Sequence, residues 1–267
     1  MSDPIAIVGV GVMGETILSG LLRAGWPVDG LIAVDHRADR IDEIASHYGV
    51  RTTSLPEAAA QATTVMVVVK PNDARGVLAE IGAAMRPGTL VVSLCAGLTT
   101  AQLEERLPVG TPVVRVMPNT PAQVSEGMSA ISAGGAATPE HLRRATELMS
   151  AVGKAVVVEE KYQDAVTAVS GSGPAYLFLV AESMIDAGVL LGLPRDLATE
   201  LTVQTMVGSA KLLAETGTHP AILRDRVTSP GGTTAAALRA LESHALRSAF
   251  QDAMEAAYTR SQELSAS

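Results

Sequence analysis

A glycine-rich stretch near the start of the chain has the composition and spacing to bind a phosphate. Residues 9–14 are GVGVMG, directly after the apolar run PIAIV and ahead of a helical pattern. Between a strand and a helix, this spacing allows a tight turn and a close approach of a pyrophosphate to the helix N-terminus. A dinucleotide site is therefore predicted, with a plain glycine-rich turn as the alternative. The predicted contacts are Gly9, Gly11, Val12, Met13 and Gly14.

An acidic residue follows the second predicted strand. Asp35 lies about 20 residues after the glycine motif, where a carboxylate would accept a hydrogen bond from an adenosine ribose and favour NAD. His36, Arg37 and Arg40 follow, and these cations could instead pair with a 2′-phosphate. A solvated loop would have the same composition. The sequence leaves NADH and NADPH equally open.

Three further turns follow predicted strands, and in open parallel sheets ligands gather at the carboxyl ends of the strands. Proline and glycine at strand ends are also ordinary turn residues. Because such turns recur at successive strands, we expect them to line a cofactor groove. Cys95 has no partner base marked in the sequence and is expected to be a buried, inert thiol. The predicted groove residues are Val69, Lys70, Pro71, Ala96, Gly97 and Asn119.

The first half of the chain alternates β-branched runs with helical patterns. The runs PIAIVGV, LIAV, VMVVV, LVVSL, PVVRVM and AVVV are nearly continuous in valine and isoleucine, as parallel strands buried on both faces are. Helical stretches such as GETILSGLLRAGW and LRRATELMSAVG separate several of them. The pattern predicts an α/β fold, with a Rossmann-type parallel-sheet domain over residues 1–162.

From residue 163 onward the strand pattern ends and long helical segments follow. They predict an all-helical domain over residues 163–267. In the first segment, Leu177, Ala181, Met184 and Gly188 share one face. Helices this apolar predict dimerisation as the way to bury the surplus surface, with a self-sufficient monomeric bundle as the alternative.

Composition argues against several classes of protein. The 267 residues carry a net charge of −8 and 3% aromatic residues, which argues against binding nucleic acid. A single cysteine fits a reducing compartment. The unbroken apolar runs fall short of the roughly 20 residues that cross a bilayer, and no signal peptide is evident. We therefore expect a cytoplasmic protein with no membrane partner.

The sequence lacks the motifs of several other catalytic classes. The five histidines are scattered without metal-ligand spacing, so no metal is expected. Neither a P-loop nor a G-x-S-x-G motif is present. Hydride transfer is the chemistry that remains.

A second glycine-rich turn, in RVTSPGGTTAAALRALE, lies in the helical half. Threonine beside glycine ahead of a helix is typical of an ordinary cap, but such a turn could also hold a ligand. The segment AVSGSGPAY leaves the same choice open, because Ser172 would cap a helix that begins at Pro174.

These stretches together resemble the pyrroline-5-carboxylate reductase family. The resemblance rests on GVGVMGETILSGLL, VVVKP, VMPNTPAQVSEGMSAI, AVSGSGPAYLF and LRDRVTSPGGTTAAALRALE, and it extends over essentially the whole chain. It implies a Rossmann domain and a helical domain that interleaves with a partner's, in a homodimer that can assemble into a higher homo-oligomer. It also implies reduction of pyrroline-5-carboxylate to L-proline with NADPH or NADH.

The resemblance further implies roles for single residues. The SPGGTT turn would bind the substrate carboxylate, Thr234 would lie near the ring nitrogen, and the SGSGPAY segment would lie near the nicotinamide. The glycine motif, the loop Asp35, His36 and Arg37, and the strand-end residues would surround the cofactor. The implied catalytic residues are Thr234 and Ser229. The implied substrate-binding residues are Ser229, Gly231, Gly232, Thr233 and Thr234, with Ser170 and Ser172 as weaker candidates.

Elementary chemistry agrees with the implied substrate turn. A helix N-terminus holds a carboxylate well, and glycines let the backbone approach it closely. We expect Thr234 to orient the ring nitrogen while the proton arrives with the imine or from solvent, since a threonine hydroxyl is a poor acid. Thr233 or Thr234 could cap the helix, but the two glycines and the lack of an acidic residue in TTAAAL leave its N-terminus free for an anion, so we expect the substrate carboxylate to complete the cap.

Two alternatives to this function remain. One is a related imine or β-hydroxyacid reductase; the β-hydroxyacid group places a catalytic lysine in the helix after the glycine-rich segment, whereas AYLFLVAESMIDAGVLLG contains none. The other is a non-catalytic nucleotide-sensing protein, which would have no need of the SPGGTT turn.

Overall fold

The computed structural model describes residues 3–266, which divide into two compact units. The first contains residues 3–172 and 257–266, and the second is Gly173–Ala256. Every strand of the described residues belongs to one sheet in the first unit: β1 (Ile5–Val8), β2 (Leu31–Val34), β3 (Arg51–Thr52), β4 (Thr64–Val67), β5 (Leu90–Ser93), β6 (Val113–Met117), β7 (Gly127–Ala133) and β8 (Gly153–Val157).

The sheet has the order β3-β2-β1-β4-β5-β6-β7-β8 and is mostly parallel. The direction reverses at β7, which pairs antiparallel with β6, with Val116 opposite Ile131, and parallel with β8. Only a short 3-10 turn, Thr120–Val124, separates β6 from β7, and a parallel crossover needs a much longer connection. Two strands are not evident from the sequence. The segment of β7, GMSAISA, is rich in small residues, and β3 is only two residues long.

The central strands are buried along their whole length because helices cover both faces of the sheet. Ile5 and Ile7 of β1 belong to one apolar cluster, whereas Ala6 and Val8 belong to the other. This alternation explains why the strands are continuous runs of apolar residues. Only the turns at the strand ends are left to carry polar function.

Helices of the first unit connect the strands. They are α1 (Val12–Arg23), α2 (Ala38–Tyr48), α3 (Leu55–Gln61), α4 (Pro71–Ala84), α5 (Thr100–Glu104), α6 (Pro139–Ser150) and α7 (Gln163–Val166). Further 3-10 turns lie at Val28–Gly30 and Glu160–Tyr162, and a π-helical turn, Thr167–Gly171, follows α7.

The second unit is all-helical and leaves much apolar surface exposed. Leu177 and Phe178, on its first helix, are 56% and 68% exposed. That helix packs closely on the next one at Gly188, where an added Cβ would lie 3.1 Å from the Cβ of Ala198. The helices are α8 (Gly173–Leu190), α9 (Arg195–Thr216), α10 (Pro220–Arg226), α11 (Thr233–Ser243) and α12 (Leu246–Ala266), whose last turns belong to the first unit.

One helical stretch of the described chain, Glu160–Leu190, is long and apolar enough to cross a membrane by length and composition alone. No such segment is expected from the sequence, in which every unbroken apolar run is short. The length arises because the π-helical turn joins α7 to α8. Only 6% of its most apolar window is buried, which a helix that packs against another subunit also shows.

The predicted boundary between residues 162 and 163 stays a prediction. The compact units divide after Ser172, within the joined helix. The outermost residues of the two predicted domains, 1–2 and 267, lie outside the described part of the chain.

Candidate active site

The three glycines of the GVGVMG motif have three different geometries. Gly9 has φ +90°, and a Cβ on it would lie 2.6 Å from the carbonyl oxygen of Val68. A Cβ on Gly14 would lie 2.0 Å from the carbonyl oxygen of Gly9, so this glycine lets α1 pack on the turn. Gly11 is the N-cap of α1, and nothing lies within 4 Å of its Cβ position. Gly9 and Gly14 serve the fold, whereas Gly11 leaves room for a ligand at a helix N-terminus.

The carboxylate of Asp35 faces the glycine motif. Its side chain is only 5% exposed, and the Val10 N–H donates to one of its oxygens at 3.0 Å. The backbone N–H and the Nε of Arg37 donate to the other oxygen at 3.1 and 3.2 Å. Burial would raise the pKa of Asp35, but these hydrogen bonds lower it below its ordinary value. A charged Asp35 therefore holds the glycine turn and Arg37 in place.

Arg40, one of the cations that the sequence offers to a 2′-phosphate, is engaged in contacts within the fold. Its Nε donates to the carbonyl of Val10 at 2.7 Å, and its other nitrogens pair with Glu15 and Glu43. Its side chain is 13% exposed. Arg37, whose side chain is 47% exposed, stays the candidate cation of this loop.

A cavity of about 280 Å³ adjoins the ends of β1, β2 and β4, and we call it the β2 cavity. It brings together the predicted residues Gly9, Asp35, His36 and Val69. The opposite wall of the β2 cavity is not evident from the sequence, because β3, which precedes part of it, is too short to recognise as a strand. The S-x-x-E capping box of Ser54 and Glu57 at the start of α3 was the available signal. The residues missed are Thr53, Ser54, Leu55, Val77 and Glu80.

The turns after β4 and β5 lie side by side. Lys70 is the exposed N-cap of α4, and Pro71 is its first residue. Cys95 is buried, and its Sγ donates to the carbonyl of Val69 at 3.4 Å, which links the two turns. The expected burial of Cys95 is confirmed, and burial raises the pKa of its thiol, which agrees with the prediction that it is inert.

The turn after β6 reaches the SGSGPAY segment through Asn119. Pro174 has no N–H to donate to the carbonyl of Ser170 one helical turn earlier, and the Nδ2 of Asn119 donates to that carbonyl at 3.0 Å instead. The Oδ1 of Asn119 accepts from the Met128 N–H at 2.8 Å. The hydroxyl of Ser170 donates to the Val166 carbonyl. Asn119 therefore braces a π-helical turn, a distortion found often at functional sites.

Ser172 does not have the geometry of a helix cap, which is one of the two roles that the sequence leaves open for it. Ser172 has helical backbone angles, and its N–H donates to the carbonyl of Thr167, five residues earlier. The helical backbone of the π-helical turn runs on through Ser172 into α8, so the N-terminus of α8 is not a free helix start that Ser172 could cap.

The SPGGTT turn, residues 229–234, ends at an uncapped helix. The Gly232 N–H donates to the Ser229 carbonyl at 3.0 Å, and Gly231 has φ +67°. Gly232 is the N-cap of α11, with neither a side-chain cap nor an acidic residue in the first turn. Neither Thr233 nor Thr234 caps α11, because both lie within its first turn and a capping hydroxyl must precede it.

The described residues show no grouping of three histidine, cysteine, aspartate or glutamate side chains that could hold a metal ion. The cofactor candidates lie in the first unit and the SPGGTT candidates in the second. The roles given to individual residues stay predictions.

The fold and the site define a class of protein. A mostly parallel sheet, a glycine-lined turn at an uncapped helix and a buried acid after the second strand are the features of a Rossmann-type dinucleotide-binding protein. Residues 4–97 match the family model described as NADP oxidoreductase, coenzyme F420-dependent, and residues 160–264 match the model described as pyrroline-5-carboxylate reductase dimerisation. The chain belongs to the pyrroline-5-carboxylate reductase family, as its motifs predict.

Relatives and solved structures agree on this family over the whole chain. A pyrroline-5-carboxylate reductase of Mycobacterium tuberculosis is 45% identical over 97% of this chain and 96% of its own length. The structure of the Coxiella burnetii reductase aligns with a TM-score of 0.94 at 36% identity, covering 99% of both chains. A Plasmodium falciparum pyrroline carboxylate reductase solved with NADP bound aligns with a TM-score of 0.89 at 30% identity, again covering 99% of both.

Proposed function

We propose that this protein reduces pyrroline-5-carboxylate to L-proline with NADPH or NADH. The observation that carries the substrate is the uncapped N-terminus of α11, which offers backbone N–H groups to a carboxylate and carries no acidic residue of its own in the first turn. The open space at Gly11 and the β2 cavity fit a dinucleotide. Membership of the reductase family joins these two sites in one reaction.

In this proposal the chain binds and orients the two reactants. When bound, the nicotinamide ring supplies the hydride that the imine carbon accepts. The SPGGTT turn holds the carboxylate, because Gly231 and Gly232 let the backbone approach it closely. The hydroxyl of Thr234 orients the ring nitrogen, which gains electron density as the carbon is reduced. The proton arrives with the imine or from solvent.

The alternatives are weaker on observations from the chain. A β-hydroxyacid dehydrogenase of the kind considered above needs a lysine that α8 lacks. A nucleotide sensor has no need of an open, glycine-built helix start at α11.

The proposed reaction can be tested directly in both directions. The purified protein should oxidise NADPH or NADH when pyrroline-5-carboxylate is added, and should reduce the oxidised cofactor with L-proline at high pH. Absorbance of the reduced nicotinamide follows both reactions. Absence of turnover in either direction would contradict the proposal.

Arg37 is the proposed partner of a 2′-phosphate. Arg37→Ala should lower kcat/KM for NADPH about 10-fold, because a charge-assisted hydrogen bond is lost, and should change the value for NADH little. Steady-state kinetics with each cofactor measure this difference. An equal loss with both cofactors would show that Arg37 acts only through Asp35.

We also propose a homodimer formed by the exposed apolar helices of the second unit, with assembly into a higher homo-oligomer. The match to a dimerisation model over residues 160–264 supports the dimer. The single cysteine supports a cytoplasmic location, and the net charge of −8 with 3% aromatic residues argues against a nucleic-acid partner.

A further inference from the structure

The last turns of α12 pack against the turn that follows β5. A Cβ built on Gly97 would lie 3.3 Å from the Cβ of Leu264, so the backbone of this turn rests directly on the helix. Gly97 has φ +76°, a conformation that glycine adopts without strain. The resemblance places Ala96 and Gly97 at the cofactor, yet their support comes from the far end of the chain.

Gln102 links the same two elements by hydrogen bonds. Its Oε1 accepts from the backbone N–H of Thr99 at 2.9 Å, and its own N–H donates to the Thr99 hydroxyl at 3.2 Å, which forms the capping box of α5. Its Nε2 donates to the carbonyl of Ser265, in the last turn of α12, at 3.0 Å. One amide therefore fixes the start of α5, three residues beyond Gly97, to the end of α12.

A second set of contacts anchors the end of α12 itself. The buried hydroxyl of Ser261 donates to the carboxylate of Asp164 at 2.6 Å. Nearby in sequence, the carboxylate of Glu160 accepts from the backbone N–H and the hydroxyl of Thr100 at 2.7 and 2.6 Å. The segment that anchors α12 therefore also holds the first residue of α5.

The end of α12 also lines a cavity with the cofactor turns. This cavity, of about 520 Å³, lies between α4 and α5. Leu264 and Gln102 share its wall with Pro71, Ala96 and Gly97. The contacts are therefore made beside the groove in which the cofactor is proposed to lie.

We propose that the last turn of α12 positions the Ala96–Gly97 turn for cofactor binding, with Gln102 as the positioning residue. The inference rests on the proposed function, because it takes Ala96 and Gly97 as cofactor contacts. Gln102 acts on the cofactor through the turn and makes no contact with it. The nucleotide groove is thus completed by a segment that lies about 160 residues after Gln102 in the sequence.

Gln102→Glu tests the link with little change to the capping box. A glutamate keeps an oxygen that accepts from Thr99, but it replaces the donor to Ser265 with a second acceptor. We expect the KM and the Kd for NADPH to rise about 5-fold, as for the loss of a coupled contact, with kcat little changed. Gln262→Glu, an exposed change of the same kind on α12, should leave both constants unchanged.

A double-mutant cycle separates this role from general destabilisation. A chain ending at Gln262 lacks both Leu264 and Ser265 and should bind NADPH at least as weakly as Gln102→Glu. In that shortened chain, Gln102→Glu should have no further effect on the Kd. Additive effects, or a lowered Tm with an unchanged Kd, would overturn the inference. Because Kd is measured by titration without turnover, failure of the proposed reaction would be seen separately in the wild-type assay.

Discussion

A Gly14→Ala protein is expected to lose both nucleotide binding and stability. The new methyl group would lie 2.0 Å from the carbonyl oxygen of Gly9, and backbone on both sides leaves little room for relief. The turn and α1 must therefore separate, at a cost of about 3 kcal/mol in the free energy of unfolding. Because the displaced N-terminus of α1 no longer faces the pyrophosphate, the Kd for NADPH should rise more than about 100-fold. Denaturant unfolding and nucleotide titration measure the two effects.

Gly11→Ala is the matched control for this prediction. No protein atom lies within 4 Å of the position its methyl group would take, so the free energy of unfolding should fall by less than about 1 kcal/mol. Nucleotide binding should still weaken, because the methyl group enters the space left for the ligand. If Gly14→Ala bound NADPH normally, or if Gly11→Ala affected stability and not binding, the glycine roles assigned from the geometry would be wrong.

The sequence was sufficient to predict the nucleotide end of the fold, since each local pattern there agrees with the tertiary structure. Continuous valine and isoleucine runs correspond to strands buried on both faces, and Gly9 and Gly14 are glycines for reasons of local geometry. Pro71 begins α4 as its fixed φ favours. Patterns of this kind are readable because their cause lies within a few residues.

The features that sequence reasoning missed depend on distant partners. Arg40 is a plausible phosphate ligand until its contacts with Val10 and Glu15 are seen. Pro174 indicates a helix start, and only the hydrogen bond from Asn119 shows how a continuous helix tolerates it. The antiparallel pairing of β7 follows from the short connection to β6, and its own residues give no strong strand pattern.

The substrate turn has the free helix start that its glycines and its lack of acidic residues predict. A cap by Thr233 or Thr234 would occupy the backbone N–H groups of the first turn. The N-cap is Gly232, and no side chain caps the helix. An uncapped helix start is a better site for a carboxylate than a capped one, and the hydroxyls of the two threonines are left for other contacts.

Thr234→Ala is expected to lower kcat/KM for pyrroline-5-carboxylate about 100-fold, the usual effect of removing one oriented donor from a developing charge. The fold should be retained, because Thr234 lies at a half-buried position in the first turn of α11 and caps nothing. Initial-rate assays at saturating NADPH and varied pyrroline-5-carboxylate separate the loss into kcat and KM. A role in orienting the ring nitrogen predicts that most of the loss is in kcat, since the carboxylate contacts of the turn are unchanged.

Two further variants decide whether the hydroxyl is the active group. Thr234→Ser keeps the hydroxyl and should retain most of the activity, whereas Thr234→Val keeps the shape of the side chain and should be as impaired as Thr234→Ala. If valine supported wild-type kcat/KM, the hydroxyl would have no part in the reaction and Thr234 would serve packing alone. If Thr234→Ser were as impaired as Thr234→Val, a retained hydroxyl would not support the reaction, and the nitrogen would have to be oriented by another donor, with Ser229 of the same turn as the next candidate.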